Sequence, residues 1–151
     1  MKRLFAQCFL GIAIFLWVFQ FVMFIGNVPS RSMAPTIRQG AVIVGCRITG
    51  ELSHGKIVVF RFSDGRYLVK RIAGVSGDTI YLNRGSGMVY VNDKPEDVKG
   101  YEIMIVPEDC FFMLGDNPEE SLDSRYWENP FISREDIVCS VWFSIGGESL
   151  I

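Results

Sequence analysis

Histidine is almost missing from this chain: His54, in "LSHGK", is the only one among 151 residues. A Ser–His–Asp triad needs an imidazole bonded to both of its other members. His54 sits in a turn beside Gly55, where an exposed turn histidine is the plainer reading, so any nucleophilic serine here needs a different base. Paired cysteines are absent too. Cys8, Cys46, Cys110 and Cys139 stand singly, with no CxxC, which removes the usual spacing of a metal site. Small buried apolar residues are the ordinary reading of such cysteines, and spacing assigns no disulfide among the three that follow Cys8. Nor is there an excess of positive charge. With 15 Lys and Arg against 17 Asp and Glu, the net charge is −2, which leaves no basic footprint for nucleic acid. The sequence has no internal repeat and no low-complexity tract, and its length suits one compact domain.

What the chain has in quantity is one uncharged apolar run, residues 4–26, "LFAQCFLGIAIFLWVFQFVMFIG". As a helix it would reach about 35 Å, enough for a hydrocarbon core of about 30 Å. Lys2 and Arg3 precede it, and Arg31 is the only charge in the ten positions after it. This bias predicts residues 1–3 on the cytoplasmic side, a transmembrane anchor over 4–26 and an extracytoplasmic body over 27–151. A cleaved signal peptide is the competing reading. The run is longer than the apolar core of such a peptide, and "FIGNVPS" makes a poor cleavage site.

Beyond Asn27 the pattern turns to short β-branched and aromatic runs. Strands are expected at 41–48, 56–62, 66–74, 78–83, 87–92, 102–107, 110–114 and 137–145. "SDG" at 63–65 and "RGSG" at 84–87 supply hairpin chemistry. The predicted fold class is therefore mainly β: an N-terminal transmembrane helix followed by one mostly antiparallel β-domain. Residues 115–136, "GDNPEESLDSRYWENPFISRED", form a long polar interruption. A polar stretch of that length inside a compact domain is either functional or disordered, and Tyr126, Trp127 and Phe131 within it require packing.

Without a suitable histidine, a lysine of lowered pKa is the alternative base. In "YLVKRI" alternation groups Lys70 with Leu68 and Ile72 on one face, and Arg71 with Tyr67 and Val69 on the other. Lys70 is then either a buried neutral amine or an edge-strand lysine facing water. The window alone leans to water. "SMAPTIRQG" reads on composition as a linker, "GDN" as a turn, and "SLDSR" as a solvated Asp–Arg pair.

Taken in order, "VPSRSMAPTIRQGAVIV" (28–44), "GKIVVF" (55–60), "YLVKRIAGVSGDTI" (67–80) and "MLGDNPEESLDSRYW" (113–127) resemble the type I signal peptidases, membrane-bound serine proteases with a Ser–Lys dyad. The resemblance implies a mainly β fold with Ser32 as nucleophile and Lys70 as general base. It places Ser30 and the Ser32 N–H in the oxyanion hole, and Ser121 as the residue orienting Lys70. Asp123 is expected to pair with Arg71 or Arg125. Val28, Pro29, Met33, Ile37, Leu68 and Val69 are expected to line shallow pockets for small residues. No metal or cofactor is implied. The implied partners are signal-peptide-bearing preproteins, cut after an Ala-x-Ala type site, and the lipid bilayer. Four departures stand out: Arg31 for a glycine between the serines, Ser76 for a proline, Pro118 for an arginine after "GDN", and Glu128 for a glycine after "SRYW". They keep two rival readings open, a specialised processing protease for a pilin-like substrate and a non-catalytic factor in surface-fibre assembly. Self-cleaving repressors share such a dyad, but they carry a DNA-binding domain for which this chain has no room.

Overall fold

The computed structural model describes residues 2–147, with side chains at Phe5 and from residue 7 onward. Met1 and residues 148–151, the outermost parts of the expected cytoplasmic and extracytoplasmic segments, lie outside the described residues. The N-terminal apolar run divides in two. Helix α1 spans Lys2–Val22, and strand β1, Met23–Asn27, follows directly. Among the described residues no helix is long and apolar enough to cross a membrane. The expected helical span over 4–26 is thus corrected at its C-terminal end. The backbone of residues 23–27 pairs antiparallel with β2, Val42–Cys46, from Met23 opposite Cys46 to Asn27 opposite Val42. The Arg47 N–H donates to the Val22 carbonyl at 2.7 Å, satisfying an acceptor left open where the helix stops.

All eight expected strands form. After β2 come β3 (Ile57–Arg61), β4 (Tyr67–Gly74), β5 (Thr79–Asn83), β6 (Met88–Val91), β7 (Glu102–Ile105) and β8 (Cys110–Leu114). The short β9 (Phe131–Ser133) and the long β10 (Ile137–Ile145) complete the set. Besides β1, the sequence reading missed β9, three residues at the end of the polar stretch that pair with β8. Both Gly-rich hairpins occur, with Gly65 and Gly87 at φ +85° and +71°, a region open to glycine at little cost.

The strands form a seven-stranded sheet in the order β1-β2-β10-β3-β4-β8-β9 and a three-stranded sheet in the order β6-β5-β7, antiparallel throughout. β10 is inserted between β2 and β3. Val58, Phe60, Ile72, Met113 and Trp127 pack one apolar cluster, while Val28, Met33, Ile37, Ile43 and Val59 pack a second. A third, of Ile80, Leu82, Val106 and Phe112, joins the small sheet to the large one. All four cysteines are free thiols.

Candidate active site

The segment after β1 is a tight turn rather than a linker. Val28 donates its N–H to Ala41 O at 2.9 Å, and Gly40 donates to Val28 O at 2.7 Å, closing the neck of the loop. Inside it, Ala34 N–H bonds Arg31 O at 3.0 Å and Ile37 N–H bonds Met33 O at 2.8 Å. Met33 and Ile37, only 0% and 2% exposed, fix the turn to the core from below. Ser32 is consequently buried, with its Oγ 3.3 Å from Ser30 Oγ.

Lys70 stands on β4, an interior strand flanked by β3 and β8, so it is not the edge lysine that its window favours. Its strand partner is Val58, and Ile72 follows on the same face, both fully buried. Lys70 is 3% exposed and donates its Nζ to Ser121 Oγ at 3.0 Å. Burial pushes the amine down to about 8; the Asp123 carboxylate opposes that fall, Arg125 adds to it, and Asp116 opposes it. An amine in this state is neutral over much of the mildly alkaline range and can accept a proton.

The polar stretch builds the other side of the site. Ser121 Oγ accepts from Lys70 and donates to Asp123 Oδ2 at 2.6 Å. Asp123, with no exposed surface, also accepts the Gly115 N–H at 2.9 Å and both Nε and Nη2 of Arg125 at 2.8 Å. Burial alone would raise this carboxyl, but the bonds from Arg125, Gly115 and Ser121 outweigh it and hold it below the usual carboxylate range. Ser124 ties the loop to β8 through Met113 N–H to Ser124 Oγ at 2.8 Å. Of the two partners expected for Asp123, Arg125 is the one present. Arg71 instead clasps Asp116, donating Nε to Oδ1 at 2.8 Å and Nη2 to Oδ2. Alternation explains the split, because Arg71 lies on the opposite face of β4 from Lys70.

Ser30, Ser32 and Lys70 line one cleft of about 350 Å³. Val28, Pro29, Leu68 and Val69 are on its wall, together with Ile43 and Val59. Met33 and Ile37 are not on that wall; their side chains go to the core that holds the turn. Arg31, between the two serines, turns to Gln39. Its Nε donates to Gln39 Oε1 at 3.0 Å, and its side chain is not part of the cleft. Pro118 is accommodated, since its carbonyl accepts Arg125 Nη2 at 3.3 Å, while Ser76 and Glu128 are exposed. His54 bonds Asp78 Oδ2 at 2.6 Å, away from the serines, and does not line the cleft.

"GDN" does more than turn the chain. A side-chain carbon on Gly115 would lie within about 2.6 Å of Ser121 Oγ, Ser121 Cβ and the Ser32 carbonyl oxygen, so only glycine fits between them. Asp116 takes Arg71, and Asn117 donates its N–H to Ser32 O at 3.0 Å and its Nδ2 to Arg31 O at 3.3 Å. No period or spacing marks these three residues; the signal lay only in a Gly-Asp-Asn run opening a long polar stretch.

A family model described as signal peptidase, peptidase S26, matches residues 1–102 and 95–145. A protein named probable signal peptidase I-2 from a Synechocystis species is 34% identical over 129 residues, covering 74% of this chain and 57% of that relative. Signal peptidase I U of Bacillus subtilis strain 168 is 31% identical over 145 residues, covering 82% of this chain and 72% of the relative. Signal peptidase IB of Staphylococcus aureus strain COL is also 31% identical, over 147 residues, with 78% and 74% covered. The chain thus spans a little over half the length of the Synechocystis relative and nearly three quarters of the other two. Among solved structures, a signal peptidase I from Enterococcus faecalis V583 aligns with a TM-score of 0.46 at 22% identity, over 60% of this chain and 97% of that one.

Proposed function

This chain belongs to the signal peptidase family, peptidase S26, and from that premise we propose that it is a serine endopeptidase that removes signal peptides from exported preproteins through a Ser32–Lys70 dyad. The observation that carries the proposal is a lysine amine, 3% exposed and bonded to Ser121, in the same cleft as a buried serine.

The chemistry follows from the charges. Neutral Lys70 takes the Ser32 proton as Oγ attacks the scissile carbonyl, and the resulting ammonium gives a proton to the leaving amine. Charge that develops on the carbonyl oxygen is met by the Ser32 N–H and the Ser30 hydroxyl. Such donors are worth roughly 3–4 kcal/mol each. A water molecule, deprotonated by the same amine, then releases the acyl group. Ser121 holds the amine in place, and the Asp123–Arg125 pair holds Ser121. The apolar wall of Val28, Pro29, Leu68 and Val69 suits small side chains before the cut, as in an Ala-x-Ala site. The dyad calls on no metal or cofactor.

We assign the N-terminal segment to the bilayer, with the β-domain on the extracytoplasmic side. In support, Phe9, Leu10, Phe15, Leu16 and Trp17 of α1 are each more than half exposed, an apolar surface that water does not favour. The apolar surface continues onto the sheet. Ile25 and Phe143 both stand opposite Val44, hence on one face, and are 65% and 51% exposed.

The test incubates the detergent-solubilised full chain, beside Ser32→Ala, with a preprotein carrying an Ala-x-Ala site, and reads products by mass spectrometry. The expected result is a cut directly after the last alanine, absent from the variant. A cut by both proteins would overturn the dyad. No cut by either would favour a specialised enzyme for pilin-like substrates or a non-catalytic assembly factor.

A further inference from the structure

We infer that Asn117 is a positioning residue for the oxyanion hole: it fixes the peptide planes on both sides of Ser32 and thereby aims the Ser32 N–H. The inference rests on the dyad reading above and adds to it a residue outside the dyad and its Ser121–Asp123 support.

The argument starts from the peptide between Arg31 and Ser32. It is planar and trans, so its carbonyl and its N–H point in opposite directions. Whatever holds the Arg31 oxygen therefore sets the direction of the Ser32 N–H. Among the described residues two donors hold that oxygen: Ala34 N–H at 3.0 Å, from within the turn, and Asn117 Nδ2 at 3.3 Å, from across the chain. A carbonyl only accepts, so the amide must present its NH2 group there. On the far side of the nucleophile, the Asn117 main-chain N–H takes the Ser32 carbonyl at 3.0 Å. One residue thus grips the oxygens on either side of Ser32. The Ser32 N–H itself has no protein acceptor among the described residues, although Ser32 is only 7% exposed. A main-chain donor left open beside the nucleophile is available to an acceptor that arrives with the substrate.

Asn117 is well placed to hold the turn because it is itself held. Asp116 is clasped by Arg71, next to Lys70 on β4, and Gly115 N–H is bonded to Asp123. The tie therefore carries the position of the base to the position of the oxyanion donor, at a site where displacements of about 1 Å are costly.

The experiment measures kcat and KM for the full chain in detergent, with a peptide substrate and with its analogue carrying a thioamide at the scissile bond. Asn117→Ala should lower kcat on the oxygen substrate about 10–100-fold, with KM changed less than about 2-fold. Because sulfur exploits an aimed N–H poorly, the oxygen-to-sulfur rate ratio should shrink, while the pH midpoint of activity stays in place. Asn117→Asp keeps the size and the main-chain bond but cannot donate from its side chain, so it carries the same expectation if the alanine variant is unstable. An unchanged kcat, an effect on KM alone, or an equal loss on both substrates would overturn the inference and leave the dyad standing. A wild type that does not cleave, or a Ser32→Ala variant that does, would overturn the dyad reading and this inference with it.

Discussion

Lys70 is held where its charged form is unwelcome, and that has two measurable effects. On the proposed dyad reading the amine must be neutral to accept the Ser32 proton, and burial has brought it from the ordinary lysine value of 10.5 to about 8. In the dyad mechanism kcat/KM should rise as pH increases from 7 and level off above about 8, measured on a short peptide. A profile flat from pH 6 to 10 would remove lysine as the base. The second effect is on stability. Between about 8 and 10.5 the unfolded chain binds more protons at Lys70 than the folded one, so stability due to this residue rises with pH across that window. Below it the penalty is constant, about 3 kcal/mol, partly offset by about 1 kcal/mol for the bond to Ser121. Lys70→Met should therefore be inactive yet more stable at pH 7 by about 2 kcal/mol in urea unfolding, with the gain shrinking toward pH 10.5.

Among the elements, the 115–125 loop shows how far a sequence can be read. Strands β2 to β8 and β10 were legible because alternation and turn residues are local signals, and each sheet needs them. The grouping of Lys70 with Leu68 and Ile72 was legible for the same reason. Its burial was not, since that depends on β3 and β8 lying on either side of β4, a fact of topology. The loop's bonds were still less visible. Asp123 and Arg125 sit two residues apart and invite the reading of a solvated pair, but the pair is buried beneath Ser121 and takes the Gly115 N–H. β1 escaped because an apolar run that pairs with a strand looks, residue by residue, like one that continues a helix. Gly115→Ala tests the loop as a unit. Its added methyl would push Ser121 and the Ser32 carbonyl apart, so activity should fall at least 100-fold and stability by about 1–3 kcal/mol, read by peptide assay and thermal unfolding. An alanine variant with full activity would mean that the loop does not set the geometry of the dyad.

On the scale of the whole molecule, the apolar face of Ile25, Val44 and Phe143 lies on β1, β2 and β10, and the first two of these strands frame the turn bearing Ser32. If the domain rests on a lipid surface through this face, the double variant Ile25→Ser and Phe143→Ser should cut a preprotein reconstituted in vesicles several-fold more slowly, while cutting a short soluble peptide at the wild-type rate. Equal rates on both substrates would assign the face to another role. The strand order carries one more consequence. Ser32 lies between β1 and β2, Lys70 lies on β4, and the large sheet joins these two parts only through β10. During synthesis residues 32 and 70 leave the ribosome before β10, the strand that seats their two parts in one sheet. On the proposed dyad reading, a nascent chain therefore gains proteolytic competence only after residues 137–145 have emerged, a delay written into topology.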